Sequence, residues 1–115
     1  MVLLAVAATA LGASATWAAS AAVPRPLVGT WTIGATSSGS IAIRSNGHAV
    51  FHIGSEVLPE TVSGTRTTVT FGAAGLCAGK GTYAWKIAGR TLTFRPMRDA
   101  CTIRSGFLKG TWKRK

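Results

Sequence analysis

A chain of 115 residues has room for one domain, and with 47% hydrophobic against 14% charged residues it is too apolar for a disordered tail. Thirteen Lys and Arg face only Glu56, Glu60 and Asp99, for a net charge of +10, so the body carries a positive field. Three acids on separate loops do not supply the two poised groups of a general acid/base pair, and no Ser–His–Asp arrangement stands out, so no enzyme is expected.

The chain opens with residues 1–23, uncharged and mostly Ala, with Val2, Leu3, Leu4, Val6 and Leu11 as an apolar run. Ala19-Ser20-Ala21 has the small-residue spacing of a signal-peptidase site, and Pro24 follows. Residues 1–21 therefore read as a secretory signal and 22–115 as the single mature domain, secreted or held in the cell envelope. No Lys or Arg precedes Arg25, which departs from the usual signal pattern, and a membrane anchor is the alternative.

After Pro26 the apolar period is two. Trp31 and Ile33 alternate with Thr30 and Thr32; Ile41 and Ile43 alternate with Ser40, Ala42 and Arg44. Asn46-Gly47 is a hairpin turn, and Ala49, Phe51 and Ile53 line the return strand. A short strand over Val57 to Val62 contains Pro59, which implies an edge or a bulge. A fifth strand runs from Arg66 to Phe71. A Gly/Ala-rich loop from Ala73 to Gly79 holds Cys77. Tyr83, Trp85 and Ile87 then share a face, Ala88-Gly89-Arg90 turns, Leu92 and Phe94 continue the face, and Pro96 ends the strand. The last strand sets Leu108, Gly110 and Trp112 against Phe107, Lys109, Thr111 and Lys113. No segment shows helical periodicity. Seven or eight strands with one apolar face each must fold over themselves, and sequential hairpins make an all-β, small antiparallel up-and-down barrel the simplest closure; a Greek-key β-sandwich is the alternative.

Cys77 and Cys101 read as a disulfide, closing a loop of about 25 residues worth roughly 3–4 kcal/mol in the chain-entropy model. His48 and His52 share a strand face opposite Phe51 with too few further ligands for a metal, and no cofactor is expected. Asp99 is expected to cap its loop or to pair with Arg98 or Arg104. The cations are scattered from Arg44 to Arg98, with Lys113-Arg114-Lys115 as the one run, which argues against a specific reader of nucleic acid.

Gly29-Thr30-Trp31 at the head of the first strand resembles the Gly-x-Trp signature of lipocalins and other calycins. The later run of Gly81-Thr82-Tyr83-Ala84-Trp85, Gly89, Leu92, Phe94, Asp99, Cys101, Arg104, Leu108 and Gly110-Thr111-Trp112 is similar to small secreted bacterial lipocalin-like domains. The resemblance implies that Trp31 packs beneath a cation from near the last strand, closing the barrel floor. That cation is assigned to Arg104, with Lys109, Lys113 and Arg114 nearby. The strand alternation itself places Trp31, Phe51, Tyr83, Trp85, Phe94 and Trp112 on interior faces, either binding a small hydrophobic ligand or simply filling the core. In the filled case the protein is an interaction module, such as a secreted protease inhibitor, acting as a monomer on an anionic envelope surface or a secreted protein.

Overall fold

The computed structural model describes residues 22–33, 39–72 and 77–115. The expected signal segment and residues 73–76 of the expected Gly/Ala loop lie outside the described residues. Eight strands follow in chain order: β1 Gly29–Ile33, β2 Gly39–Ile43, β3 His48–Ile53, β4 Glu56–Gly64, β5 Thr68–Gly72, β6 Gly81–Ala88, β7 Thr91–Arg98 and β8 Thr111–Arg114. Each pairs antiparallel with the next, and β8 returns to β1, so the sheet is a closed up-and-down barrel. Closure leaves no edge at the seam, and the period-two pattern decides which face turns inward.

In β3, Ala49 and Phe51 are buried while His48 and His52 stand exposed on the outer face. Ile41 lies opposite Phe51 and Val69 opposite Tyr83, so these inward residues meet an apolar partner across the ladder. Asn46-Gly47 makes the β2–β3 turn as expected, with the Asn46 side chain accepting from the His48 N–H at 3.1 Å. Pro59 is tolerated because Val62 N–H donates to Gly47 O across the β3 side. By alternation the missing N–H of Pro59 falls on the other side, where among the described residues β5 begins opposite only at Thr61.

Two sequence expectations are corrected. Pro96 does not end its strand: β7 runs on to Arg98, with a register shift opposite Thr82 and Tyr83. Phe107 and Leu108 do not open the last strand. They end a short helix, α1 Thr102–Leu108, and β8 starts at Thr111. In α1 the charged Arg104 is buried and Ile103 is 60% exposed, the reverse of the usual pattern, which hides a seven-residue helix from periodicity.

The chain contains one structural phrase twice: Leu27-Val28-Gly29-Thr30-Trp31 and Leu108-Lys109-Gly110-Thr111-Trp112. In each copy a helical turn ends on a fully buried Leu, Arg25–Leu27 being a 3-10 turn and α1 an α-helix. A glycine at positive φ (140° at Gly29, 106° at Gly110) then swings the chain into a strand. The Trp indole N–H donates back to the Leu carbonyl, at 3.0 Å for Trp31 and 3.2 Å for Trp112. Because β1 and β8 are antiparallel neighbours, the two copies enter from opposite ends. Each end of the barrel is thereby stopped by its own turn and leucine. The end holding the 3-10 turn and the C terminus is called the terminal end below, and the end holding α1 the helix end. Among the described residues no helix is long and apolar enough to cross a membrane.

Candidate functional site

The six residues expected to line the interior are brought together only in part. Trp31, Phe51, Tyr83 and Trp112 have no exposed surface, and Phe94 retains 7%. Phe51 and Phe71 meet edge to face with centroids 5.2 Å apart; Phe71, Tyr83 and Phe94 contact one another at 6.0–6.2 Å. Phe107 of α1 closes the remaining gap, 5.2 Å from both Phe51 and Trp112. These spacings are those of directly touching rings. Trp85 stands opposite Phe94 and packs against the core from its margin. It is half-buried near the terminal end, and its indole N–H is shared by the carbonyls of Thr65 and Thr68, each at 3.1 Å. Three grooves open on the outer surface instead. One of about 420 Å³ lies beside Gly29 and the β2–β3 turn, one of about 460 Å³ is lined by Trp85 and Phe94 of the expected set together with Ala84, Lys86 and Arg95, and one of about 270 Å³ lies beside Met97.

The cation over Trp31 is Arg114, not Arg104. The Arg114 guanidinium lies 4.2 Å from the ring centroid. Its Nη1 donates to Val28 O at 3.1 Å and its Nη2 to Pro26 O at 2.7 Å, tying the last strand to the 3-10 turn. Register explains the choice: Arg114 stands directly opposite Trp31 in the ladder, whereas Arg104 belongs to α1 at the other end. Gly29 is part of the same device, since a Cβ there would meet Arg114 Nη1 at 2.7 Å. Stacking and charged hydrogen bonds together make Arg114→Ala cost about 2 kcal/mol in urea unfolding. Arg114→Lys recovers less than half, because one ammonium cannot both cover the indole and reach two carbonyls.

Arg104 has a different role. Its Nε and Nη2 clamp Asp99 at 2.8 and 2.9 Å, Nη1 reaches Glu60 Oε1 at 3.3 Å, and Nη2 also donates to Gly79 O at 3.1 Å. Asp99 additionally accepts from the Tyr83 hydroxyl and, at 2.9 Å, from the Cys101 N–H. Asp99 thus both caps its loop and pairs with Arg104, not with Arg98. The side chains of Glu60, Asp99 and Arg104 are at most 1% exposed. Burial alone would raise the Asp99 carboxyl, but hydrogen bonds from Arg104, Tyr83 and the Cys101 N–H together prevail and hold it at about 2. Burial, and then the hydrogen bond to and charge of Asp99, push the Tyr83 phenol well above its ordinary range. Tyr83 is the one tyrosine of the chain. Absorbance at 295 nm is therefore expected to stay flat through pH 10–11 in the folded protein and to rise only with unfolding. A phenolate signal near pH 10 from folded protein contradicts the buried hydrogen bond.

Cys77 and Cys101 are joined as a disulfide, with Cα atoms 6.0 Å apart, and Cys101 also caps α1 by accepting from the Arg104 N–H at 3.4 Å. The bond therefore fixes the segment that carries both Asp99 and Arg104. Among the described residues no group of three or more His, Cys, Asp and Glu is arranged to hold a metal ion. Glu60 was not singled out by sequence reasoning. Its signal was a carboxylate on an inward-facing position of a strand that also holds Val62. The architecture, an eight-stranded barrel with a Trp held under an Arg, is compatible with a lipocalin-like fold. Comparison of the chain with protein-family models, with curated proteins and with solved structures finds no match to any of them.

Proposed function

We propose that this chain is an exported, non-catalytic, lipocalin-like module whose interior is structural and whose binding takes place on its outer surface. The observation that carries this reading is the ring cluster of Phe51, Phe71, Tyr83, Phe94, Phe107 and Trp112, linked by successive ring contacts between two stopped ends. A ligand-binding barrel needs a cavity of roughly 300 Å³ or more, and directly touching rings across the centre speak against one. The buried carboxylates support the non-catalytic part: both are engaged by one guanidinium and shielded from any substrate. The disulfide supports an oxidising destination.

Titration with N-phenyl-1-naphthylamine, a neutral apolar fluorophore that a positive surface does not attract, tests the reading. No saturable enhancement at micromolar protein is expected. Saturable 1:1 binding, competed by a fatty acid, would overturn it and return the function to the barrel interior.

A further inference from the structure

The charge of this protein is sorted along the barrel axis. Arg25 in the 3-10 turn, Arg44 after β2, Arg66 before β5, Arg90 between β6 and β7, and Arg114 with Lys115 at the close of β8 all lie at the terminal end. Five of these are exposed and Arg114 is half-buried. All three acids lie toward the other end: Glu56 at the start of β4, Glu60 within it, and Asp99 after β7. Glu60 and Asp99 are moreover occupied by Arg104. Among the described residues no Asp or Glu side chain is thus placed to neutralise the terminal end. Where its arginines are held, carbonyls hold them: Arg90 Nη2 donates to Arg114 O at 3.0 Å, and Arg114 donates to Val28 O and Pro26 O. Such contacts orient the cations without cancelling their charge.

A second observation says what this end meets. The described chain begins there, with Ala22 O accepting from the Gly64 N–H at 3.3 Å where β4 finishes. The residues before it, 1–21, contain no charged side chain and are predominantly apolar. Retained as the membrane anchor that is the alternative to a removed signal, this uncharged apolar segment joins the barrel where the six-cation surface lies, the combination that suits a membrane with negative head groups. We infer that the terminal end is a docking surface for an anionic lipid bilayer. The inference rests on the proposed outer-surface function and names its partner.

Sedimentation of the full chain with phosphatidylcholine vesicles, with and without 30% phosphatidylglycerol, tests it. Any baseline from the apolar segment is common to both vesicle types, so their difference reads the charge. Preferential binding to the anionic vesicles is expected, lost as salt rises from 0.05 to 0.5 M. Arg44 and Arg66 make no contact that the fold needs, so Arg44→Gln with Arg66→Gln lowers anionic-vesicle binding about fivefold per cation and leaves the unfolding midpoint unchanged. Lys80→Gln with Lys109→Gln, at the helix end, leaves binding unchanged. Equal binding to both vesicle types, equal loss in the two double variants, or binding to DNA or polyglutamate without vesicle binding each overturns the inference. If vesicles fail while the neutral fluorophore also stays out, this inference alone is lost. Entry of the fluorophore overturns the functional reading itself.

Discussion

Arg104→Ala is expected to destabilise the barrel by about 3–5 kcal/mol, a large part of the total stability of a domain this size. The cost comes less from lost attraction than from what stays behind. Asp99 stays buried as a carboxylate without its two guanidinium bonds, and Glu60 stays buried beside the space that Arg104 leaves. Arg104→Lys keeps the charge but not the fork that holds Asp99 through two nitrogens, so it falls between wild type and Ala. Ile103→Ala, one residue away but 60% exposed, changes stability by under about 0.5 kcal/mol and serves as control. Urea unfolding of the three variants checks the order. The same cluster ties the wild type to acid. Because the Asp99 carboxyl is held at about 2, its contribution is fully present above about pH 4 and fades as pH falls toward 2. Roughly 2 kcal/mol is lost over that window, measurable as a falling unfolding midpoint.

The second large effect is expected from the cross-link. Cys77 and Cys101 are separated by 24 positions, so removing the bond restores about 3–4 kcal/mol of chain entropy to the unfolded state. Cys101 has a further role as cap of α1, and paired variants separate the two. Cys77→Ala with Cys101→Ser loses the cross-link but keeps a side-chain acceptor at the cap. Cys77→Ala with Cys101→Ala loses both and is less stable by about a further 1 kcal/mol. Equal stability of the two pairs in guanidinium unfolding contradicts the capping role.

The barrel was legible in the sequence because each strand carries its instruction locally. Ile41, Ile43, Ala49 and Phe51 alternate with polar neighbours around an Asn-Gly turn, and such a pattern has one way to be buried. The disulfide was legible because the chain has two cysteines, and the partner of Asp99 only as a choice between Arg98 and Arg104. What was not legible depends on register between distant strands. Arg114 and Arg104 are equally plausible partners for Trp31 along the chain, and only the β1–β8 ladder sets Arg114 opposite it. Trp85 keeps the spacing of an interior residue, yet β5 begins opposite Ala84, and Trp85 is left at the rim with its indole on Thr65 and Thr68. The helix α1 was hidden by its inverted polarity. The repeat of Leu-x-Gly-Thr-Trp was a signal for this helix, since a helical turn before Leu27 implies one before Leu108.

That the barrel centre is filled by its own aromatic rings is tested most directly by diffraction from crystals held under xenon pressure. Xenon enters apolar cavities larger than itself whatever their ligand preference. No xenon peak is predicted within the ring cluster of Phe51, Phe71, Tyr83 and Phe94. A well-occupied peak bounded by those four side chains would contradict the account.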